Sequence, residues 1–271
     1  MGVQNWRTAY ASVVGSSHKK TGAPCQDASS CQVIELADGS EVLLVVACDG
    51  AGSAARSDVG SSLVVNDFMR EFGDAARQEK GLNIIDENYV LDWLKRLHDL
   101  VAKQAETEQL PIREFACTLL GAVIGVESAV FFQIGDGAIT VLEEGSDKYH
   151  PIFWPQHGEF INQTNFLFQA DIEETLAFIR ENQKFSEIAV FTDGLERLIL
   201  NFASQEVHSP ALRPIFEWLA KRPGVCHEED PSQELKAYLS SDFVSIRTDD
   251  DTTLIMATRA SMEEAPCSNS L

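Results

Sequence analysis

The chain has 271 residues, 44% of them hydrophobic, which is enough to build the core of one enzyme-sized domain. Its 42 acidic residues against 21 basic ones give a formal net charge of −21, so binding to nucleic acid or to an anionic membrane surface is disfavoured. The sequence contains no run of eighteen apolar residues, and because residues 1–10 lack the basic start and the apolar core of a secretory signal, we expect none there. The six cysteines form no CxxC pair, which argues against a zinc finger or a disulfide scaffold. We expect a cytoplasmic protein with reduced thiols.

The first fifty residues predict antiparallel strands. Alternating apolar residues and β-branched content predict strands at 6–14, 30–35 and 41–48. The Asp38-Gly39 pair lies between the last two strands, and it is a strong hairpin signal because both residue types accept turn conformations. The chain therefore begins as antiparallel sheet.

The middle of the chain predicts two helices followed by three strands. Apolar residues recur at helical spacing over 58–78 and 89–104. Short apolar runs bounded by glycine or acidic residues predict strands at 116–125, 129–134 and 138–142. We expect the third of these strands to complete a meander with the other two.

The last part of the chain is less regular. Loop and edge segments are expected over 148–171, followed by a helix at 172–181. Further elements are predicted as a strand at 188–192, helices at 210–220 and 231–240, and a strand at 253–258. Because the strands cluster apart from the helices, the pattern favours an α+β layered sandwich.

Acidic residues occupy unusual places at the ends of apolar strands. Three such strands run directly into an Asp-Gly pair, at 49–50, 136–137 and 193–194, and an acidic triplet at 249–251 precedes the final strand. If the strands are neighbours, these carboxylates converge and raise one another's pKa unless a cation compensates. Hard oxygen ligands select Mg²⁺, Mn²⁺ or Ca²⁺. The repetition predicts a divalent metal centre, although each Asp-Gly pair taken alone is more simply a turn.

Six short segments occur along the chain in the order SHKKTGAPCQDA, VVACDGAG, ACTLLGAV, QIGDGAI, VFTDGLE and DDDTTLIM. Together they resemble the motif series of the protein phosphatase 2C (PPM) family of Ser/Thr phosphatases, in particular a compact bacterial branch. The resemblance spans residues 6–259. It implies a four-layer α-β-β-α sandwich of two mainly antiparallel sheets flanked by helices. We predict one such domain over 1–259 and a frayed tail over 260–271.

The resemblance also implies a site for two divalent cations, Mn²⁺ or Mg²⁺. Asp49 matches the aspartate that bridges both ions, and Gly50 matches the neighbouring carbonyl ligand. Asp193 and Asp250 match aspartates that bind one of the ions, with Asp249 as the alternative to Asp250. Catalysis would then depend on Asp49, Asp193 and Asp250, which hold a metal-activated water for attack on phosphoserine or phosphothreonine esters.

Three more residues match positions around this metal site. Asp136 resembles the aspartate associated with a third, weaker ion in some members. Asp27 matches the acidic residue of an N-terminal motif that acts in the outer shell. The preceding glutamate of many members is here Gln26, whose neutral amide cannot supply the same charge.

The expected phosphate-binding arginine has no direct equivalent, because that segment reads His18-Lys19-Lys20. We expect His18, and beside it Lys19, to bind the phosphate, whereas for Lys20 a solvated loop charge is an equally good interpretation. Ala51 stands where some members carry a histidine thought to protonate the leaving group.

The departures at Gln26, Ala51 and the missing arginine leave an alternative function, a weakly active or inactive pseudophosphatase that serves as a regulatory binding module. A calcium-binding structural domain is a third reading, weakened by the absence of EF-hand spacing. The predicted partner is a phosphoprotein substrate of a Ser/Thr kinase, with no nucleic acid and no membrane, and the chain is expected to be a monomer. Residues 149–185 are expected to hold loops that set substrate choice.

Overall fold

The computed structural model describes residues 4–78, 81–156, 164–168, 172–222 and 230–261. The strands are β1 (Gln4–Val13), β2 (Ala28–Glu35), β3 (Glu41–Cys48), β4 (Leu119–Ile124), β5 (Ala129–Ile134), β6 (Ala138–Glu143), β7 (His150–Pro151), β8 (Ala177–Glu181), β9 (Phe185–Phe191), β10 (Leu200–Asn201), β11 (Glu206–Val207) and β12 (Thr252–Ser261). The helices are α1 (Ser16–Thr21), α2 (Ser57–Ala76), α3 (Glu87–Glu108), α4 (Ile172–Thr175), α5 (Glu196–Ile199), α6 (Ser209–Ala220), α7 (Pro231–Leu239) and α8 (Asp242–Ser245).

Two five-stranded sheets form the centre of the fold. One has the order β1-β12-β9-β6-β7 and the other the order β2-β3-β4-β5-β8, and the strand pairs within both are antiparallel. We refer to them as the β12 sheet and the β3 sheet. Strands β10 and β11 form a separate small hairpin.

Three buried apolar clusters lie between the four layers of the fold, which are two sheets and two layers of helices. The cluster between the sheets includes residues of β3, β4 and β5 on one side and of β6, β9 and β12 on the other. A second cluster joins the outer face of the β3 sheet to α2 and α3, and a third joins the outer face of the β12 sheet to α6 and α7. The predicted α-β-β-α sandwich is therefore confirmed.

Strand β3 shows why its sequence reads as a continuous apolar run. Leu43 and Val45 belong to the cluster between the sheets, whereas Leu44 and Val46 belong to the cluster beneath the helices. Successive side chains of a strand point to opposite faces, and both faces of β3 are covered. A strand buried on both faces is a rigid support for Asp49, the residue after its end.

The layer of α2 and α3 packs through aromatic side chains. The rings of Phe68, Phe72 and Trp93 contact one another and contact Phe132 of β5, with centroid distances between 4.5 and 6.1 Å. The indole Nε1 of Trp93 donates to the buried carboxylate of Asp67 at 2.9 Å, so the polar atom of this large ring is satisfied.

The prediction that 138–142 completes a meander is wrong. Strand β6 does not pair with β5; it pairs with β9 and β7 in the other sheet. Between β5 and β6 the chain passes through Gly135, whose φ of 110° is open to glycine and strained for other residues. This turn carries the chain from one sheet to the other, so Asp136 lies at the crossing point.

The prediction of a helix at 172–181 is also wrong beyond its first turn. Helix α4 ends at Thr175, and β8 then pairs with the edge of β5. Phe178 packs on the helix side of the sheet and Ile179 on the side facing the other sheet, which is the two-residue period of a strand. Part of the predicted loop region, at 157–163 and 169–171, lies outside the described residues.

Other boundaries differ less. Residues 16–21 form the short helix α1, where a loop was expected for Lys20. Strand β12 continues through Ser261, whereas the predicted tail falls mostly on 262–271, outside the described residues, and the division into domain and tail stays a prediction. In the described part of the chain, no helix combines the length and the apolar content needed to cross a membrane.

Substitution of two glycines of α2 by alanine should have opposite effects on stability. A Cβ at Gly60 would overlap the carbonyl oxygen of Phe115, whereas a Cβ at Gly73 would meet mainly the flexible end of Arg77. We expect Gly60→Ala to lower the free energy of unfolding by about 1–3 kcal/mol. The matched control Gly73→Ala should keep or raise it, by up to about 1 kcal/mol, because alanine is the better helix former. Urea unfolding measures both, and equal stability of the two variants would contradict this packing.

Candidate active site

The three Asp-Gly pairs and the acidic triplet meet at one end of the sandwich. Asp49 follows β3, Asp136 lies between β5 and β6, Asp193 follows β9, and Asp250 precedes β12. Their side chains line a pocket of about 130 Å³, which we call the acidic pocket. Its lining consists of His18, Gln26, Asp49, Gly50, Ala51, Gly52, Asp136, Thr164, Phe166, Asp193, Asp250 and Asp251.

A second pocket is larger but chemically plainer. It measures about 490 Å³ and lies between β1, β2 and α7. Its lining contains one acidic side chain, Asp230, and one basic side chain, Lys236, among alanine, hydroxyl and amide side chains. The concentration of carboxylates therefore distinguishes the acidic pocket as the candidate active site.

The carboxyl groups of Asp49 and Asp193 lie next to each other in the acidic pocket. Burial, then the charges of Asp27 and Asp193, raise the pKa of Asp49 well above its usual value. Burial raises the pKa of Asp193 to about 6, against a hydrogen bond with Asp49 that lowers it and with further raising by Asp136 and Asp250. Two carboxyl groups in hydrogen-bond contact cannot both be ionised without strong repulsion. The pair is therefore a place where positive charge is needed.

Asp27 lies behind the acidic pocket, between the two sheets. Its Oδ2 accepts hydrogen bonds from Thr253 Oγ1 at 2.7 Å and from Thr192 Oγ1 at 2.9 Å. Its Oδ1 is buried and has no hydrogen-bond partner among the residues that the structure describes. Burial raises the pKa of Asp27 to about 7, although both hydroxyl donors lower it. Asp27 is not part of the pocket lining, which agrees with an indirect position.

The donor atoms suit a hard divalent cation. Buried oxygens without a hydrogen-bond partner in the described part of the chain include Asp193 Oδ1 and Gln26 Oε1. Gly50 lies so close to the Gln26 backbone that a Cβ there would stand 2.6 Å from the Gln26 carbonyl oxygen. Carboxylate and carbonyl oxygens are the ligands that Mg²⁺ and Mn²⁺ prefer. The residues therefore fit such an ion.

The acidic pocket is not a closed ligand cage. Within residues 4–78, 81–156, 164–168, 172–222 and 230–261, no three Asp, Glu, His or Cys side chains are already arranged to hold a metal ion. Because the pKa values of Asp49 and Asp193 are raised, a cation bound by both would have to displace protons from them. Cation binding should therefore compete with protons.

The basic segment contributes one side chain to the acidic pocket. His18 lines it, and His18 Nδ1 lies 2.9 Å from Asp251 Oδ1. Lys19 and Lys20 are exposed and do not belong to the lining. Of the three residues of this segment, only His18 therefore reaches the acidic pocket.

The acidic triplet divides its roles. Asp250 and Asp251 line the acidic pocket, whereas Asp249 does not. The backbone oxygen of Asp249 instead accepts hydrogen bonds from the N–H of Ser17 at 2.9 Å and from Ser17 Oγ at 2.6 Å. This placement leaves Asp250 as the triplet residue with a carboxylate available to the pocket.

Sequence reasoning missed three acidic or hydroxyl groups of this region. Asp251 was counted in the acidic triplet but given no role of its own. Burial and the charges of Asp193 and Asp136 raise the pKa of Glu196 to about 7, and its position three residues after Asp193 was the available signal. Thr164 donates a hydrogen bond to Asp136 Oδ2, a contact between distant segments that no local pattern announces.

The raised pKa values predict a pH-dependent stability for the metal-free protein. Asp27 and Asp193 keep a proton in the folded state up to pH values of about 7 and about 6, whereas both ionise near pH 3.8 when unfolded. The folded state therefore holds more protons between these values, so the free energy of unfolding falls as pH rises from about 4 to 7. The slope per group is at most about 1.4 kcal/mol per pH unit.

Urea unfolding in EDTA at several pH values between 4 and 8 measures this slope. Asp27→Asn should flatten it, while Asp99→Asn, on the exposed face of α3, should leave it unchanged. A wild-type protein whose stability does not decline over this range would show that the carboxyl groups are not crowded as described.

Comparisons with known proteins agree on one family. The family model described as protein phosphatase 2C matches residues 14–240. Serine/threonine-protein phosphatase 3 of Escherichia coli (strain K12) is 37% identical over 255 residues, which cover 93% of this chain and 98% of that protein.

Solved structures share the fold at lower sequence identity. The catalytic domain of the serine/threonine protein phosphatase PstP, in complex with two manganese ions, superposes with a TM-score of 0.61 at 17% identity, covering 95% of this chain and 100% of that one. PppA of Pseudomonas aeruginosa, a regulatory component of a type VI secretion system, gives a TM-score of 0.61 at 18% identity, covering 96% and 100%. From the family match and the 37% identity, the chain belongs to the protein phosphatase 2C family.

Proposed function

We propose that this chain is a protein-serine/threonine phosphatase that uses divalent cations, Mn²⁺ or Mg²⁺, to hydrolyse phosphoserine and phosphothreonine esters. The observation that carries the proposal is the meeting of Asp49, Asp193 and Asp250 from three separate strands in one pocket. Membership of the family and the manganese ions of PstP support the same chemistry.

The proposed metal ligands are the carboxylates of Asp49, Asp193 and Asp250 and the carbonyl of Gly50. Bound divalent cations would supply a water nucleophile of lowered pKa and positive charge for the phosphoryl oxygens. Asp136, which also lines the acidic pocket, is the proposed ligand of a third, weaker ion. The chain's own part is to hold these oxygens on rigid strand ends, so that little reorganisation is needed.

Two further pairs of residues support this arrangement in the proposal. His18 lies at the acidic pocket and is placed to donate to a phosphoryl oxygen, with Lys19 contributing at longer range from the exposed side of α1. Gln26 and Asp27 each present a buried oxygen without a partner in the described residues, so they can accept hydrogen bonds from groups that surround the ions.

The substrate in this proposal is a phosphoprotein, the product of a Ser/Thr kinase. A monomer in the cytoplasm, without nucleic-acid or membrane partners, is consistent with the net charge of −21. The loops within residues 149–185 remain the proposed determinant of substrate choice. The alternative of a pseudophosphatase is not favoured, because the matching family and the Escherichia coli relative are both described as phosphatases.

Removal of a proposed ligand should abolish turnover. Asp49→Asn and Asp193→Asn should each lower kcat/KM for p-nitrophenyl phosphate and for a phosphothreonine peptide by at least about 100-fold, equivalent to about 2.7 kcal/mol of transition-state stabilisation. The matched control Asp99→Asn, exposed on α3, should retain wild-type kinetics. Activity near the wild-type level in either ligand variant would refute the assignment.

Metal removal gives an independent test. Wild-type activity should disappear in EDTA and return with Mn²⁺ or Mg²⁺, and binding of Mn²⁺ should weaken as pH falls towards 5, because protons compete for Asp49 and Asp193. Calorimetric titration at several pH values measures this competition. A protein that binds Mn²⁺ tightly but turns over neither substrate would favour the regulatory module instead.

A further inference from the structure

Asp251 is a buried carboxylate with three hydrogen-bond donors. Only 3% of the residue is exposed. Its Oδ1 accepts from the backbone N–H of Gly15 at 2.6 Å and lies 2.9 Å from His18 Nδ1. Its Oδ2 accepts from the backbone N–H of Gln26 at 2.6 Å. Both carboxylate oxygens are therefore engaged by one stretch of the chain, residues 15–26, which we call the N-terminal arm.

These contacts connect parts of the chain that are far apart in sequence. More than 220 positions separate Asp251 from each of its three partners. The N-terminal arm contains α1 and ends at Gln26. Two of its residues, His18 and Gln26, line the acidic pocket. The strand that follows Asp251 is β12, which is paired on both sides, with β1 and β9. Asp251 thus ties the arm to a rigid strand.

Close packing reinforces the connection. A Cβ on Gly15 would overlap the backbone of Asp250, and a Cβ on Gly194 would overlap the carbonyl oxygen of Asp251. The triplet is held between the N-terminal arm on one side and the Asp193-Gly194 turn on the other. A loss of hydrogen bonds at Asp251 would therefore move the arm against the pocket.

We propose that Asp251 is a positioning residue, not a metal ligand: its buried carboxylate fixes the N-terminal arm and thereby holds His18 and Gln26 at the acidic pocket. The proposal rests on the proposed phosphatase function for its catalytic consequence. Charge-assisted hydrogen bonds from two backbone N–H groups and one imidazole are stronger than neutral ones. Oδ1 already accepts two hydrogen bonds and Oδ2 one, so the carboxylate of Asp251 is engaged mainly by the N-terminal arm.

The same contact sets the tautomer of His18. A carboxylate only accepts hydrogen bonds, so His18 Nδ1 must carry the hydrogen of the 2.9 Å contact with Asp251. The other ring nitrogen, Nε2, is then the one available to a phosphate. An acidic residue that orients a histidine in this way changes what the imidazole can do without touching the substrate.

Metal affinity separates a positioning residue from a ligand. In calorimetric titrations with Mn²⁺, Asp250→Asn, which removes a proposed ligand, should bind at least about tenfold more weakly than Asp251→Asn, which removes only a supporting contact. Hydrogen exchange should show faster exchange across residues 15–26 in Asp251→Asn and wild-type exchange there in the control Asp99→Asn. Equal loss of Mn²⁺ affinity in Asp250→Asn and Asp251→Asn would overturn the proposal.

Kinetics test the connection to His18. With Mn²⁺ and p-nitrophenyl phosphate, Asp251→Asn and His18→Asn should each raise KM about tenfold, the effect of one lost charge-assisted hydrogen bond, with a smaller change in kcat. The KM of the double variant should be no higher than the higher KM of the two single variants, because Asp251 acts through His18. Multiplied losses in the double variant would overturn the proposal.

The remaining outcomes are also decisive. Should Asp251→Asn not fold, the tautomer of His18 in the wild-type protein carries the test: a proton on Nδ1 in ¹⁵N NMR spectra supports the contact with Asp251, and a proton on Nε2 alone overturns it. Should the wild-type protein hydrolyse no phosphate ester, the proposed function fails. The Mn²⁺ titration and hydrogen exchange would then still decide whether Asp251 is a ligand or holds the arm.

Discussion

Mutual repulsion among carboxylates is the constraint on which this molecule depends. The fold places Asp49, Asp136, Asp193 and Asp250 around one small pocket and buries Asp27 directly behind it. Burial, and after it the charges of neighbouring carboxylates, raise the pKa values of Asp27, Asp49 and Asp193, so ionising these groups costs free energy in the folded protein. A fold retains such an arrangement when the cost is offset elsewhere. In this fold the burial of the three apolar clusters stabilises the folded state. Positive charge at the acidic pocket would reduce the repulsion between the carboxylates directly.

The two sheets make this crowding possible. Each carboxylate lies next to the end of a strand that contributes residues to the buried core. Apolar clusters cover both faces of the β3 sheet, so Asp49 has little freedom to move. Asp136 lies where the chain crosses between the sheets, so the acidic pocket draws on both of them. The site thus requires the complete sandwich, since no single sheet contains all of its parts.

Much of this site could be predicted from sequence because each Asp-Gly pair follows an apolar strand, a local pattern that marks the end of a rigid element. The layers were equally readable from the clustering of strands and helices. The crossing between the two sheets at Gly135 could not be predicted, because a meander and a change of sheet have the same local sequence pattern. Residues 177–181 read equally well as the end of a helix, and pairing with β5 decided for a strand. The role of Asp251 was hidden for a different reason: its partners Gly15 and Gln26 are known only from the folded chain.

The pairing of β1 with β12 has a consequence for biosynthesis. These two strands are paired from Gln4 with Ser261 to Val13 with Thr252. A segment near the start of the chain can therefore pair only after a segment near residue 260 has been synthesised. On the ribosome, β1 emerges long before its partner, and the edge that it will present to β12 stays unpaired until then. Asp250 emerges just ahead of the same strand. A nascent chain can therefore assemble the β3 sheet and its helices while the enzyme remains incomplete, and competence for chemistry arrives only with the last strand.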